Sequence, residues 1–190
     1  MIRKARPEDK YKIAELIYII WNDMELRMVK ELPKETVIRA MERSIVDVQY
    51  RDYYEHIYVY EVDGEVAGCL VSYPADRELE FERNWEKLDL PDDIKAYGTP
   101  LPVKEARDGE IYIESVATFS EYRGQGIASK LFKHVLETDT NATWGLICEK
   151  DNYGAQRLYE KLGFKVDGET ELYSHEYNRM VYRGEKTTLE

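Results

Sequence analysis

Apolar positions recur along this chain at two periods, two and about 3.6, and they divide it into a run of strands and helices. Residues 2–6 read as a short strand, and Pro7 then opens a helical stretch with Ile13, Ile17 and Ile20 on one face. After Pro33 a second helical pattern begins near Lys34, carried by Val37, Ile38, Met41, Ile45 and Val48 at three- and four-residue spacing. Two helices are therefore expected after the first strand. Residues 57–62 and 66–71 flank Asp63-Gly64, the dipeptide best suited to the positive φ angles of a tight hairpin turn. From 74 to 108 the pattern gives way to a charged, irregular stretch holding Pro74, Pro91, Pro100 and Pro102, with ELEFERNWEKL as its one candidate short helix. It reads as an insertion between strands.

Strand character returns over 110–118, and a helix follows from about Gln125 to Glu137, with Ile127, Leu131, Phe132 and Val135 apolar. A further strand at 144–148 leads through Asp151-Asn152 into a helix over 153–162, which Gly163 stops. Residues 164–166 and 178–182 read as two antiparallel strands joined by a polar loop. Strands at both ends with helices between imply a mixed α/β sheet.

Composition narrows the class. With 43% hydrophobic and 34% charged residues, the chain has material for a core and too many charges for a membrane protein. At 190 residues without a low-complexity linker, one domain is expected over 1–188, and Leu189-Glu190 are set aside. No run approaches the roughly 20 apolar residues of a membrane span, and MIRKARPEDK lacks the apolar run of a secretory signal, so the expected location is cytoplasmic. The 38 acidic against 27 basic residues, a net charge of -11, argue against a nucleic-acid surface and favour a cationic partner. A solvated negative surface that keeps a protein soluble would produce the same number. Cys69 and Cys148 match neither a metal-ligand spacing nor a disulfide framework and are expected as buried apolar thiols. His56, His134 and His175 are scattered, and no metal is expected.

The chemistry concentrates at YRGQGIA, residues 122–128, where two glycines sit between a strand and a helix start. Glycines let the backbone come close to a ligand, and the first helical turn offers unpaired N–H groups at the positive end of its dipole. A pyrophosphate suits that geometry, although Gly-rich turns before helices also simply fit a tight bend. The loop has neither the lysine and hydroxyl of a P-loop nor enough glycines for a dinucleotide fingerprint.

Arg123-Gly124-Gln125-Gly126-Ile127-Ala128 resembles the pyrophosphate motif R/Q-x-x-G-x-G/A of the GCN5-related N-acetyltransferase (GNAT) superfamily. Asn152, Ala155, Tyr159 and Gly163-Phe164 resemble its second signature, N-x-x-A-x-x-x-Y-x-x-x-G-F. The resemblance covers residues 2 to about 182, with 74–108 as its main departure. It implies an acyl-CoA N-acyltransferase fold, a mostly antiparallel central sheet with helices on both faces, and acetyl-CoA as co-substrate. By the same resemblance, residues 123–128 would cradle the CoA pyrophosphate through main-chain N–H groups. Val116, Ala117 and Thr118 would line the pantetheine on the fourth strand, Asn152 would contact the pantetheine arm, and Tyr159 would stand beside the sulfur.

Aminolysis of a thioester needs a neutral amine and a proton for the departing thiolate. A tyrosine hydroxyl, with a reference pKa of about 10, can donate that proton, though among 16 tyrosines only its place in the motif singles out Tyr159. For the base, Glu114 is the preferred candidate and Glu110, earlier on the same strand, the second; a solvated surface charge is the competing reading for both. Trp21, Asp23, Met24 and Arg27 fall where the resemblance puts the acceptor pocket, and core or surface roles compete. Tyr50, Tyr53 and Tyr54 could line a cleft or a homodimer contact, with packing under the hairpin preferred. Two functions follow: an N-acetyltransferase for an amine of a small molecule, peptide or protein, or a non-catalytic acyl-CoA-binding or regulatory module. Tyr159 and Asn152 favour the enzyme.

Overall fold

The computed structural model describes residues 1–184, so Leu189-Glu190 and the expected boundary at 188 lie outside the described residues. Strand β1 (Ile2–Lys4) leads into α1 (Lys10–Asp23), α2 (Arg27–Glu31) and α3 (Lys34–Val46). The hairpin β2 (Ile57–Val62) and β3 (Glu65–Pro74) follows, then α4 (Glu78–Asn84) and α5 (Asp92–Lys95). Strand β4 (Ile111–Thr118), α6 (Ile127–Leu136), β5 (Thr143–Glu149), α7 (Tyr153–Leu162) and the hairpin β6 (Lys165–Leu172) and β7 (His175–Arg183) complete the chain. The seven strands form one sheet in the order β1-β2-β3-β4-β5-β7-β6, and every neighbouring pair is antiparallel except β4 and β5.

Helices cover both faces, which explains why residues 66–71 of β3 are buried without the alternation of a half-exposed strand. On one face α1 and α3 bury Ile13, Leu16, Ile17, Val37, Met41 and Ile45 against Val59, Cys69 and Val71. On the other, α6 buries Ile127, Leu131, Phe132 and Val135 against Leu70, Ile113 and Leu146. The β2–β3 turn is the expected one, with Asp63 and Gly64 at φ 51° and 80°. No helix among the described residues is long and apolar enough to cross a membrane.

Three expectations need correction. The connection after α1 holds a short extra helix, α2, too brief to show a period of its own. The polar loop expected between the last two strands is itself strand, because β6 and β7 form a long hairpin closed at Tyr173 and Ser174, both with positive φ. β6 is an exposed edge strand almost throughout, so it carries no apolar alternation. The segment 74–108 is not irregular: it holds α4 and α5, and Phe81, Trp85, Leu88, Leu90, Ile94 and Leu101 are buried in the core on the α1 side. Tyr50 is core there as well, stacked 5.1 Å from Trp85, while Tyr53 and Tyr54 stack on each other at 4.6 Å.

Candidate active site

The sheet is parted in its middle. β4 and β5 pair only at Ile111 with Trp144 and Tyr112 with Gly145, so beyond Tyr112 the edge of β4 that faces β5 has no strand partner. Each of these parallel strands is followed by a helix, α6 and α7, and the crevice at the carboxyl ends of parallel strands is where open α/β sheets take ligands. Chambers of about 540 and 230 Å³ along this crevice share Thr118, Arg123, Ala128 and Leu158 as lining. A deeper one of about 250 Å³ shares Asp23, Val116, Asn152 and Ala155 with the first. They make one cleft with a loop end and a deep end. A separate hollow of about 600 Å³ beside α3, lined by Glu35, Arg39, Arg43 and Asp93, shares no residue with it.

At the loop end, Gly124 and Gly126 have φ of 81° and 73°, left-handed values that favour glycine, and a Cβ at either would meet nothing within 4 Å. Gly126 is the N-cap of α6. Between Arg123, whose N–H reaches the Ser120 carbonyl at 3.3 Å, and Lys130, whose N–H reaches that of Gly126 at 3.0 Å, no backbone N–H is matched with a carbonyl among the described residues. Open space over a run of free donors at the start of a ten-residue helix is what an anionic group requires. Tyr122, Arg123, Gly124, Gly126, Ala128 and Ser129 line this end. Ile127 lines it too, but its side chain is buried in the α6 core. The exposed Gln125 is outside the lining, so the structure offers no side-chain role for it.

Midway, Val116, Ala117 and Thr118 line the β4 wall and Asn152 and Ala155 the α7 wall. Asn152 caps α7, its Oδ1 accepting the Ala155 N–H at 3.1 Å, which leaves the Nδ2 hydrogens for a ligand. In the deep chamber Tyr159 stands beside Cys148, its ring packed on Phe132 at 5.4 Å. Burial, and then Cys148, push the Tyr159 hydroxyl well above its usual pKa, so it remains a proton donor. The Cys148 thiol is pushed up to about 11 by burial and then by Glu149, which leaves it protonated and a poor nucleophile. Cys148 is buried as expected, yet it lines the cleft.

The deep end is acidic: Asp23, Glu105, Glu114 and Glu149 line it together with Tyr177, and no Lys or Arg does. Glu114 reaches it through a bulge. Val71 pairs with Ser115 and Ser72 with Ile113, so Glu114 is left over in β4 and the inward–outward alternation slips there by one. Glu110, the second candidate base, points elsewhere, pairing with Arg107 at 3.3 Å and covering Gly145 of β5. Of the residues expected near the acceptor, Asp23 and Met24 line the deep chamber, Trp21 is core at 3% exposure, and Arg27 pairs with Glu31 on the surface.

Sequence reasoning did not find the partner of Glu114. Arg51, fully buried, is ion-paired with Glu114, its Nε 2.5 Å from Oε1, and with Glu78 at 2.6 Å, Glu105 at 2.5 Å and Glu82 at 3.4 Å, while its Nε–H donates to the Tyr73 hydroxyl at 3.0 Å. Tyr73 donates its hydroxyl to the same Glu114 oxygen at 2.9 Å. Burial outweighs Arg51 and, with Glu105 adding to it, pushes Glu114 up to about 8. A lone arginine with polar neighbours carries no motif that would have shown this in one dimension.

A mixed sheet opened between two parallel strands, with a helix start bared to an anion at one end and a protonated tyrosine at the other, defines an acyltransferase class of fold. Residues 16–164 match the Acetyltransferase (GNAT) family, and the chain belongs to it. An N-acetyltransferase from Staphylococcus aureus Mu50 is 55% identical over 96% of this chain and 100% of its own, with a TM-score of 0.95. A second acetyltransferase is 32% identical over 97% of this chain and 100% of its own, with a TM-score of 0.83. The yncA protein of Salmonella typhimurium, solved with its cofactor acetyl-CoA, shares the fold at 15% identity, covering 100% of this chain and 96% of its own, with a TM-score of 0.58. No curated protein sequence matches the chain.

Proposed function

We propose that this acetyltransferase moves an acetyl group from acetyl-CoA to a primary amine of a small molecule, peptide or protein, and that the amine enters at the acidic deep end. The observation that carries this reading is the single cleft joining a bared helix start to four carboxylates past Tyr159. The loop 123–128 would hold the pyrophosphate by its free N–H groups, with Arg123 adding a charge-assisted contact. The unpaired edge of β4 from Val116 to Thr118 would hold the pantetheine by strand-like pairing, and Asn152 would bind it from the other wall. When bound, acetyl-CoA supplies a thioester whose acetyl carbon is taken by the amine nitrogen as the thiolate leaves. Glu114 would accept the proton lost by the amine, and the Tyr159 hydroxyl would give one to the sulfur.

A carboxylate with its pKa near 8 is matched to that task at neutral to mildly alkaline pH, where part of it is ionised and still basic. The cationic form of an acceptor is drawn to the acidic end, which fits the net charge of -11. The test is release of free CoA thiol from acetyl-CoA against a panel of amines, amino acids and lysine peptides. Stimulation by at least one cationic amine is expected. Tight acetyl-CoA binding with no stimulated release would favour a binding module instead.

A further inference from the structure

In β4 the bulge alone does not fix where Glu114 points. A glutamate has three rotatable bonds, and a buried one needs partners to hold it in one place. Both recorded contacts of its carboxylate, from Arg51 Nε at 2.5 Å and from the Tyr73 hydroxyl at 2.9 Å, fall on Oε1. Oε2 makes no hydrogen bond among the described residues, yet it is not one of the buried atoms without a partner, so it is open to the chamber. Arg51 is itself fixed: its Nε–H donates to the Tyr73 hydroxyl at 3.0 Å, and Glu78, Glu82 and Glu105, all contributed by the segment between β3 and β4, take the N–H groups of its two terminal nitrogens along with the Leu101 carbonyl. Glu78 and Glu82 are anchored in turn by the backbone N–H groups of Glu105, Ala106 and Leu101.

We propose that Arg51 and Tyr73 are positioning residues of the acetyl transfer, gripping Glu114 by Oε1 so that Oε2 faces the acceptor, with the segment 74–108 present as the clamp that holds Arg51. This rests on Glu114 being the base. The groups facing its carboxylate are Arg51, Tyr73 and Glu105, with Asp52 behind them, and Asp23, Glu149, Tyr159 and Tyr177 across the chamber. Two of these act in opposite directions on its proton: the Tyr73 hydrogen bond favours the ionised form and the Glu105 charge opposes it.

The experiment titrates the Glu114 carboxyl by carbon NMR in the whole protein labelled at glutamate Cδ, the signal being assigned by its loss in Glu114→Gln. Tyr73→Phe keeps the ring and removes both the hydrogen bond to Glu114 and the acceptor of the Arg51 Nε–H, so Glu114 should titrate about one unit higher. Glu105→Gln should move it down. The acid limb of kcat/KM, measured with acetyl-CoA and the best amine of the panel, should follow both shifts, and below the limb Tyr73→Phe should be about tenfold slower. Urea midpoints check that both variants fold. An unmoved Glu114 signal in folded Tyr73→Phe, or shifts of the same sign in both variants, would overturn the inference while leaving the base untouched. Wild-type turnover and an unchanged acid limb in Glu114→Gln would instead remove the base reading, and the inference with it.

Discussion

The loop end of the cleft is built of backbone: two glycines in left-handed conformation and a helix start, beside an exposed Arg123 with no ion pair among the described residues. The deep end is built of side chains, and two of them, Glu105 and Glu114, are held by a buried ion cluster of one arginine and four carboxylates. The first needs only a few consecutive residues and constrains little beyond itself. The second ties together α4, the coil after α5, β3, β4 and the loop after α3, so the surroundings must fold before it exists. On the proposed reading, a donor common to a family would be met by local backbone, whereas a particular acceptor would call for a shaped and charged cavity, which only distant residues can build.

The largest expected difference between the ends is in stability. Arg51→Ala would leave several carboxylates buried without their common counter-charge, a loss typically costing about 3–5 kcal/mol, against a total stability of about 5–15 kcal/mol. Arg123→Ala, at the exposed loop end, should cost less than about 0.5 kcal/mol. Urea unfolding of both at neutral pH makes the comparison, and equal midpoints would mean that the ion cluster does not clamp the segment 74–108.

Affinity should show the reverse ordering. Gly126→Asp places a negative charge and a Cβ where the helix start is bared, and acetyl-CoA affinity by calorimetry should fall by about 100-fold or more, roughly 3 kcal/mol. Aspartate tolerates positive φ better than most residues, so the fold should survive with a modest loss. Unchanged affinity in the folded variant would take this loop out of the donor site.

The same contrast decides what was legible in one dimension. The Gly-rich turn, the Asn152 cap and the Gly163 stop are each specified by neighbours in sequence, and their elements lie where the periodicity put them. The Arg51 cluster spans 22 residues to Tyr73, 27 to Glu78, 31 to Glu82 and 54 to Glu105, and nothing local marks its members among 38 acidic residues. The four prolines made 74–108 look like a loose insertion, because its helices are short and its apolar residues face the core singly. The bulge that redirects Glu114 is equally silent, since it breaks the very alternation from which a strand's faces are read.

Between the two ends stands Tyr159. Tyr159→Phe keeps the packing on Phe132 and Phe164 and removes only the hydroxyl, so acetyl-CoA affinity and melting temperature should hold while turnover drops. General acid help is often worth on the order of a hundredfold. A thiolate comparable to that of cysteine, with a reference pKa near 8.5, leaves fairly well unaided, so a deficit of about tenfold is expected. Normal turnover in a folded variant would assign the proton to another donor.

The smallest effect concerns Asp52, which lies behind the ion cluster at 2% exposure. Its Oδ1 accepts the Ser44 hydroxyl at 2.9 Å and its Oδ2 has no hydrogen-bond partner among the described residues. Burial, opposed by the Ser44 hydrogen bond, pushes its pKa up to about 7. The unfolded chain releases that proton near pH 4, so between roughly pH 4 and 7 the folded state binds one proton more and its stability falls as pH rises. Asp52→Asn keeps the shape and the acceptor for Ser44 but cannot titrate. Between pH 6 and 8 the wild type should therefore lose about 1 kcal/mol that the variant keeps, read as the gap between two urea-unfolding series. Glu105 and Glu114 titrate in both proteins, so the difference isolates Asp52 apart from its weak coupling to Glu114. Parallel series would mean that Asp52 is ionised throughout, and then the deep end would bear one more buried negative charge than its single arginine already faces.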